Sequence, residues 1–174
     1  VSRTGQLGVV SGVALDVVLA RRLQRGDEGG HVRRALARFP VATVDRSVLD
    51  RYYVPGGIPA DQAFRPVPRL GLRPRRNAQE LTVVANFVEA WLAKEGHDGP
   101  VGVNYLEKIQ MANPAALYGA MLAGVDYVLM GAGIPLRIPG LLDRLARHER
   151  GAYPLSVTGA RPDEVEIPFD PAPY

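Results

Sequence analysis

Apolar positions along this chain fall into two rhythms, short continuous runs and stripes spaced at three and four residues. The clearest alternation of the two lies between Gly99 and Gly133. Val101 to Leu106 is an apolar run carrying one amide, Asn104, near its end. Asn113-Pro114 then offers an N-cap followed by proline at the first helical position. Leu117, Met121 and Leu122 fall on one face of the helix this predicts, and Gly124 is placed to end it. Val125 to Met130 is near-continuously apolar, which predicts a parallel strand covered on both faces. The segment reads as a βαβ unit with polar and glycine residues gathered where its strands end.

The same reading extends to the rest of the chain. Gln6 to Gly12 predicts a short strand closed by a tight turn, and Asp16 to Gln24 a helix that Gly26 terminates. Val32, Ala35, Leu36 and Phe39 recur at helical spacing until Pro40, with arginines on the other faces. Val44, Val48, Leu49 and Tyr52 make another short amphipathic segment. Pro55 to Pro74 is rich in proline, glycine and arginine and reads as an irregular excursion. Asn77 with Glu80 forms a capping-box pattern ahead of a stripe from Leu81 through Val84, Val88, Trp91 and Leu92. Pro139 is placed to open a helix bearing Leu141, Leu142 and Leu145. Pro154 to Val157 predicts a further strand, and residues 161–174 an irregular tail.

Strands near positions 102, 127 and 155 recur every 25 to 28 residues, the spacing of repeated β-α units. With the strand at Leu7 they give four parallel strands. A complete (β/α)8 barrel runs to about 250 residues, so the 174 residues here predict a single domain. It reads as part of such a barrel or a small open α/β sheet, with residues 16–98 a helical and Pro/Gly-rich insertion between the first two strands. Exposed strand edges at Leu7 and Leu155 would favour a homo-oligomer if nothing else covered them. The opening on Val1, in the tail of a helix, predicts that the chain is a piece of something longer.

Composition narrows the function classes. A net charge of +3 is too small to argue for nucleic acid, and Arg73, Arg75 and Arg76 sit among prolines as a solvated loop would. No cysteine is present, and the three histidines stand far apart, so neither a disulfide framework nor a metal centre is expected. No apolar run approaches the roughly 20 residues of a membrane helix. A cytoplasmic protein acting on a small molecule is the resulting expectation.

Candidate chemistry gathers at three strand ends: Ser11-Gly12, Asn104 and Gly131-Ala132-Gly133. Glycine lets backbone N–H groups approach a flat or anionic ligand. An amide on an apolar strand both donates and accepts, as the edge of a heterocycle requires. Each also has a structural reading: a β-α turn, a buried amide satisfied by backbone, and a plain loop. Glu28-Gly29-Gly30-His31 has the outline of a catalytic loop but opens an arginine-rich helix. His97 reads as an exposed turn residue and His148 as a surface residue in the last turn of a helix. Glu107 and Lys108 read as an exposed pair, or as residues facing the mouth of a barrel.

Taken in order, Ser2 to Gly12, then Gly102-Val103-Asn104, then Gly124 to Pro135 resemble the nitronate monooxygenase (2-nitropropane dioxygenase-like) family, which includes the flavin-dependent enoyl-acyl-carrier-protein reductases. In that family a GGLG segment leads into the second strand, GVN lies on the third and GAG ends the fourth. The resemblance implies an FMN-dependent (β/α)8 TIM barrel of which this chain holds about the second to fifth strands. It implies that Ser11, Gly12, Asn104, Gly131, Ala132 and Gly133 line the cofactor, with Asn104 bonded to the flavin ring system. The implied activity of the intact protein is oxidation of an alkyl nitronate. The alternative is reduction of an enoyl thioester, and dioxygen or NAD(P)H completes the cycle. The family's catalytic histidine would lie beyond Tyr174. A reading of another class also stands: a barrel-derived scaffold or interaction module without catalysis.

Overall fold

A computed structural model describes residues 1–161 and 163–174. In chain order the elements are β1 (Gly8–Ser11), α1 (Leu15–Gln24), α2 (His31–Leu36), α3 (Ala42–Tyr52), α4 (Arg76–Lys94), β2 (Val101–Leu106), α5 (Asn113–Leu122), β3 (Tyr127–Gly131), α6 (Ile138–Ala146), β4 (Gly151–Pro154) and β5 (Glu166–Phe169). β1, β2 and β3 form a parallel sheet in that spatial order, while β4 and β5 form a separate antiparallel ribbon. The fold is therefore mixed α/β around an open three-stranded sheet, and no closed barrel forms among the described residues.

The sheet has one covered face. Val101, Val103 and Tyr105 of β2 are buried against the helices, with Val128 and Met130 of β3 packed beside them. Their strand neighbours point the other way. On that side Val9 is 48 % exposed and Tyr127 56 % exposed. The expectation that β3 is covered on both faces is thus corrected: Val128 and Met130 supply its core contacts, and Tyr127 meets solvent.

α4 is the hub. Its buried positions run almost all round the helix, from Ala78 through Leu81, Val83, Val84, Ala85, Phe87 and Val88 to Ala90. One stripe predicts a helix with a single buried face; α4 has more because α1 and α2 form a second layer over it while α5 and the sheet take its other sides. At its closest approach to α5 the packing requires glycine. A side-chain carbon on Gly119 would lie 2.1 Å from the Val83 carbonyl oxygen. Phe39, just beyond α2, meets Phe87 edge-on at 5.1 Å between ring centres.

Several expectations at element ends are corrected. Asn77 does not cap α4: Arg75 holds the extended N-cap conformation, the helix starts at Arg76, and the Asn77 Oδ1 is buried without a partner. Glu80 pairs with Arg76 one turn back, at 2.7 Å. Asn113 likewise lies within α5, with helical φ of −52°, because the Gln110–Ala112 turn runs straight into the helix. Pro154 to Val157 is not a fourth parallel strand. β4 ends at Pro154 and pairs with β5, whose buried Ile167 and Phe169 alternate with exposed Glu166 and Pro168. The tail is therefore partly regular, and the second open edge of the sheet belongs to β3, with Leu155 outside it.

At the amino end of the sheet Asp126 joins β2 to β3. Its carboxylate accepts from the Val101 N–H at 2.8 Å and from the Lys94 ammonium at 2.6 Å. The Lys94 contact, then the Val101 bond, hold its carboxyl below the ordinary aspartate range.

Candidate functional site

Parallel register pairs Ser11 with Asn104 and Asn104 with Leu129. Paired residues share a face, so these three form a row across the helix-free side near the carboxyl ends of the strands. Gly131 follows two positions along β3, opposite Leu106. A side-chain carbon on Gly131 would stand 3.9 Å from Asn104 Oδ1 and 3.5 Å from Leu106 Cδ2. Glycine there leaves the amide uncovered. Asn104 is half-buried, and its backbone carbonyl accepts from the Gly12 N–H at 2.9 Å. Its side-chain amide makes no hydrogen bond among the described residues.

The other candidates are placed differently. Gly12 lies on the helix side, where a side-chain carbon would come 2.2 Å from Tyr105 Cε1. The β1–α1 turn closes over that ring, and Gly12 does not share the face of Ser11. Ala132 has a left-handed φ of 57°, and Gly133 packs against Glu107, where a side-chain carbon would lie 2.4 Å from Oε2. Ala132 and Gly133 thus form a turn beyond the row.

Glu107 has partners that the sequence did not reveal. Its N–H donates to the Gly131 carbonyl at 2.8 Å. Its Oε1 accepts from Gln110 Nε2 at 3.2 Å and from the Tyr153 hydroxyl at 3.3 Å. Gln110 in turn accepts from the Ser156 N–H at 2.9 Å, which fastens the ribbon to the end of β2. Burial, then the Glu107 charge, raises the Tyr153 hydroxyl above its ordinary range. Glu107 is not paired with Lys108 here.

Beneath the row, Tyr105 is locked into the helix layer. Its hydroxyl lies 2.8 Å from Asn86 Oδ1 and 2.9 Å from the Ala116 carbonyl oxygen. Burial raises its pKa far above the tyrosine range, so it stays neutral. Asn86 donates to Thr82 O one turn back, leaving its amide satisfied.

Each histidine has a local structural contact. His31 opens α2, as expected, with Nδ1 3.0 Å from Arg34 Nη2. The cap of α2 comes from an unforeseen residue: buried Asp27 accepts from the N–H groups of Val32 and Arg33, both at 2.9 Å. His97 is half-buried; its Nε2 lies 2.7 Å from Ala93 O, and its Nδ1 accepts from the Gly99 N–H at 3.1 Å. His148 lies just past α6 rather than in its last turn, with Nδ1 2.7 Å from the Tyr118 hydroxyl oxygen.

No described helix is long and apolar enough to cross a membrane. Comparison with family models, curated proteins and solved structures finds no match to this chain.

Proposed function

We propose that this chain forms part of an FMN-dependent oxidoreductase of the nitronate monooxygenase type, with its sheet belonging to a (β/α)8 barrel. The observation that carries the reading is the unpartnered Asn104 amide, flanked in register by Ser11 and uncovered by Gly131. The one-sided cover of the sheet also favours a barrel. Three parallel strands in sequential order, with helices on one face, suit a barrel wall; a doubly wound sheet carries helices on both.

The residues fit a flavin ring. A planar heterocycle needs a flat surface and one group that can donate and accept at its edge. Leu106 and Leu129 offer apolar surface beside Asn104, and the absent side chain at Gly131 leaves room above them. FMN, when bound, supplies two-electron oxidation of a carbon acid such as an alkyl nitronate. Asn104 orients the ring edge through its amide, and Ser11 offers a hydroxyl beside it. Tyr105, fixed to α4 and α5, holds β2 so that the Asn104 amide keeps its position. Glu107 anchors the end of β3 through the Gly131 carbonyl and keeps the Ala132–Gly133 turn in place.

The test is direct. The intact protein, which on this reading carries the family's histidine beyond Tyr174, should show visible flavin absorbance as purified, and adding an alkyl nitronate under anaerobic conditions should bleach it. A colourless preparation that takes up no added FMN overturns the proposal.

A further inference from the structure

A cavity of about 700 Å³ lies on the helix side of the sheet, at the carboxyl ends of β1 and β2. The β1–α1 turn, α4 and the start of α5 form three of its sides. The fourth is residues 64–70, which cross over as a strap. We propose that this cavity binds an amphipathic anion: an alkyl body carrying a carboxylate-like head.

The wall is built rather than incidental. Gln24, buried at the end of α1, holds the strap from both sides of one residue. Its Oε1 accepts from the Arg65 N–H at 2.6 Å, and its Nε2 donates to the Arg65 carbonyl at 3.2 Å. Phe64 meets two guanidinium groups, with Arg21 and Arg25 each 5.4 Å from its ring centre. Pro66 and Pro68 limit the backbone freedom of the rest of the strap. A space of this size with an ordered wall is in the range of small-molecule sites.

The lining selects the body of the ligand. Leu15, Val17, Val67 and Leu70 line the interior, with Ile109 and Met111, both partly exposed, contributing to the same wall. Phe64 is engaged by arginines, so a flat ring gains little by stacking there. Thr82 and Asn86 also line the cavity, but each is bonded to the backbone of α4 and demands no polar partner. The charge selects the head. Arg21, Arg65 and Arg69 border the space against one carboxylate, Asp16, and Arg69 has no ion-pair partner among the described residues. A guanidinium pairs well with a carboxylate oxygen pair. The cavity lies on the opposite side of the sheet from Asn104, so the inference stands apart from the flavin reading.

Calorimetric titration of the purified protein with decanoate, decanol and decyltrimethylammonium tests it. Decanoate should bind about tenfold more tightly than either of the others, as one favourable charge contact provides. Arg69→Glu should remove that preference while decanol binding stays. Val17→Phe, which fills the space, should weaken all three. Failure of decanoate to bind, equal binding of the three ligands, or an unchanged decanoate preference in Arg69→Glu would overturn the proposal.

Discussion

The Tyr105 hydroxyl sits 2.8 Å from Asn86 Oδ1, joining the middle strand of the sheet to the hub helix through two buried side chains. Tyr105→Phe removes the hydroxyl and leaves that amide oxygen, or the Ala116 carbonyl, without its donor. A buried acceptor left unpaired costs about 1–3 kcal/mol. Urea unfolding should show a lower midpoint with an unchanged slope. A midpoint equal to that of the parent protein would mean that the bond contributes nothing.

Asp126 gives the sheet a pH dependence whose sign is fixed by its partners. Lys94 and the Val101 N–H lower its folded carboxyl pKa below the unfolded value. The stability this provides is complete above the unfolded pKa of about 4. It is lost as the pH falls through the folded value. Asp126→Asn should therefore be less stable than the parent at neutral pH, with the difference shrinking in acid. Parallel stability curves across that range would contradict the assignment.

Ala132 adopts a left-handed backbone at the end of β3, with φ of 57°. For a residue with a Cβ this costs roughly 1–2 kcal/mol, partly offset by the entropy glycine loses on folding. Ala132→Gly should raise the melting temperature modestly. A lower melting temperature would show that the methyl group makes contacts worth more than the strain.

Gln24 is the fastening of the strap, so its loss has a local signature. In Gln24→Ala, trypsin should cut after Arg69 faster than in the parent, before global unfolding. Equal cleavage rates would mean that the Phe64 stacking alone holds residues 64–70.

The elements legible in the sequence were those whose burial follows from local pattern. β2 announced itself through Val101, Val103 and Tyr105, and α5 through Leu117 and its proline. The misread features depend on distant partners. The Gln24–Arg65 contact spans 41 residues, and nothing near either residue signals it. The ribbon was missed because Ile167 and Phe169 alternate over only four residues, with Pro168 between them. In the candidate site, Ser11, Asn104 and Gly131 were legible because polar and small residues closed apolar runs. The side taken by Gly12 was not. One residue along a strand reverses the face, and the Tyr105 ring that demands a glycine lies on another strand. Asp27 as the cap of α2 was hidden by the intervening turn of Glu28–Gly30.

The central claim is that Asn104 presents its amide to a flavin from the uncovered face of the sheet. FMN titration by quenching of flavin fluorescence tests it most directly, comparing the intact parent protein with its Asn104→Ala variant. Saturable binding by the parent, weakened about tenfold in the variant as one lost amide contact implies, is the expected result. An identical dissociation constant in the two proteins, or no binding by the parent, contradicts it.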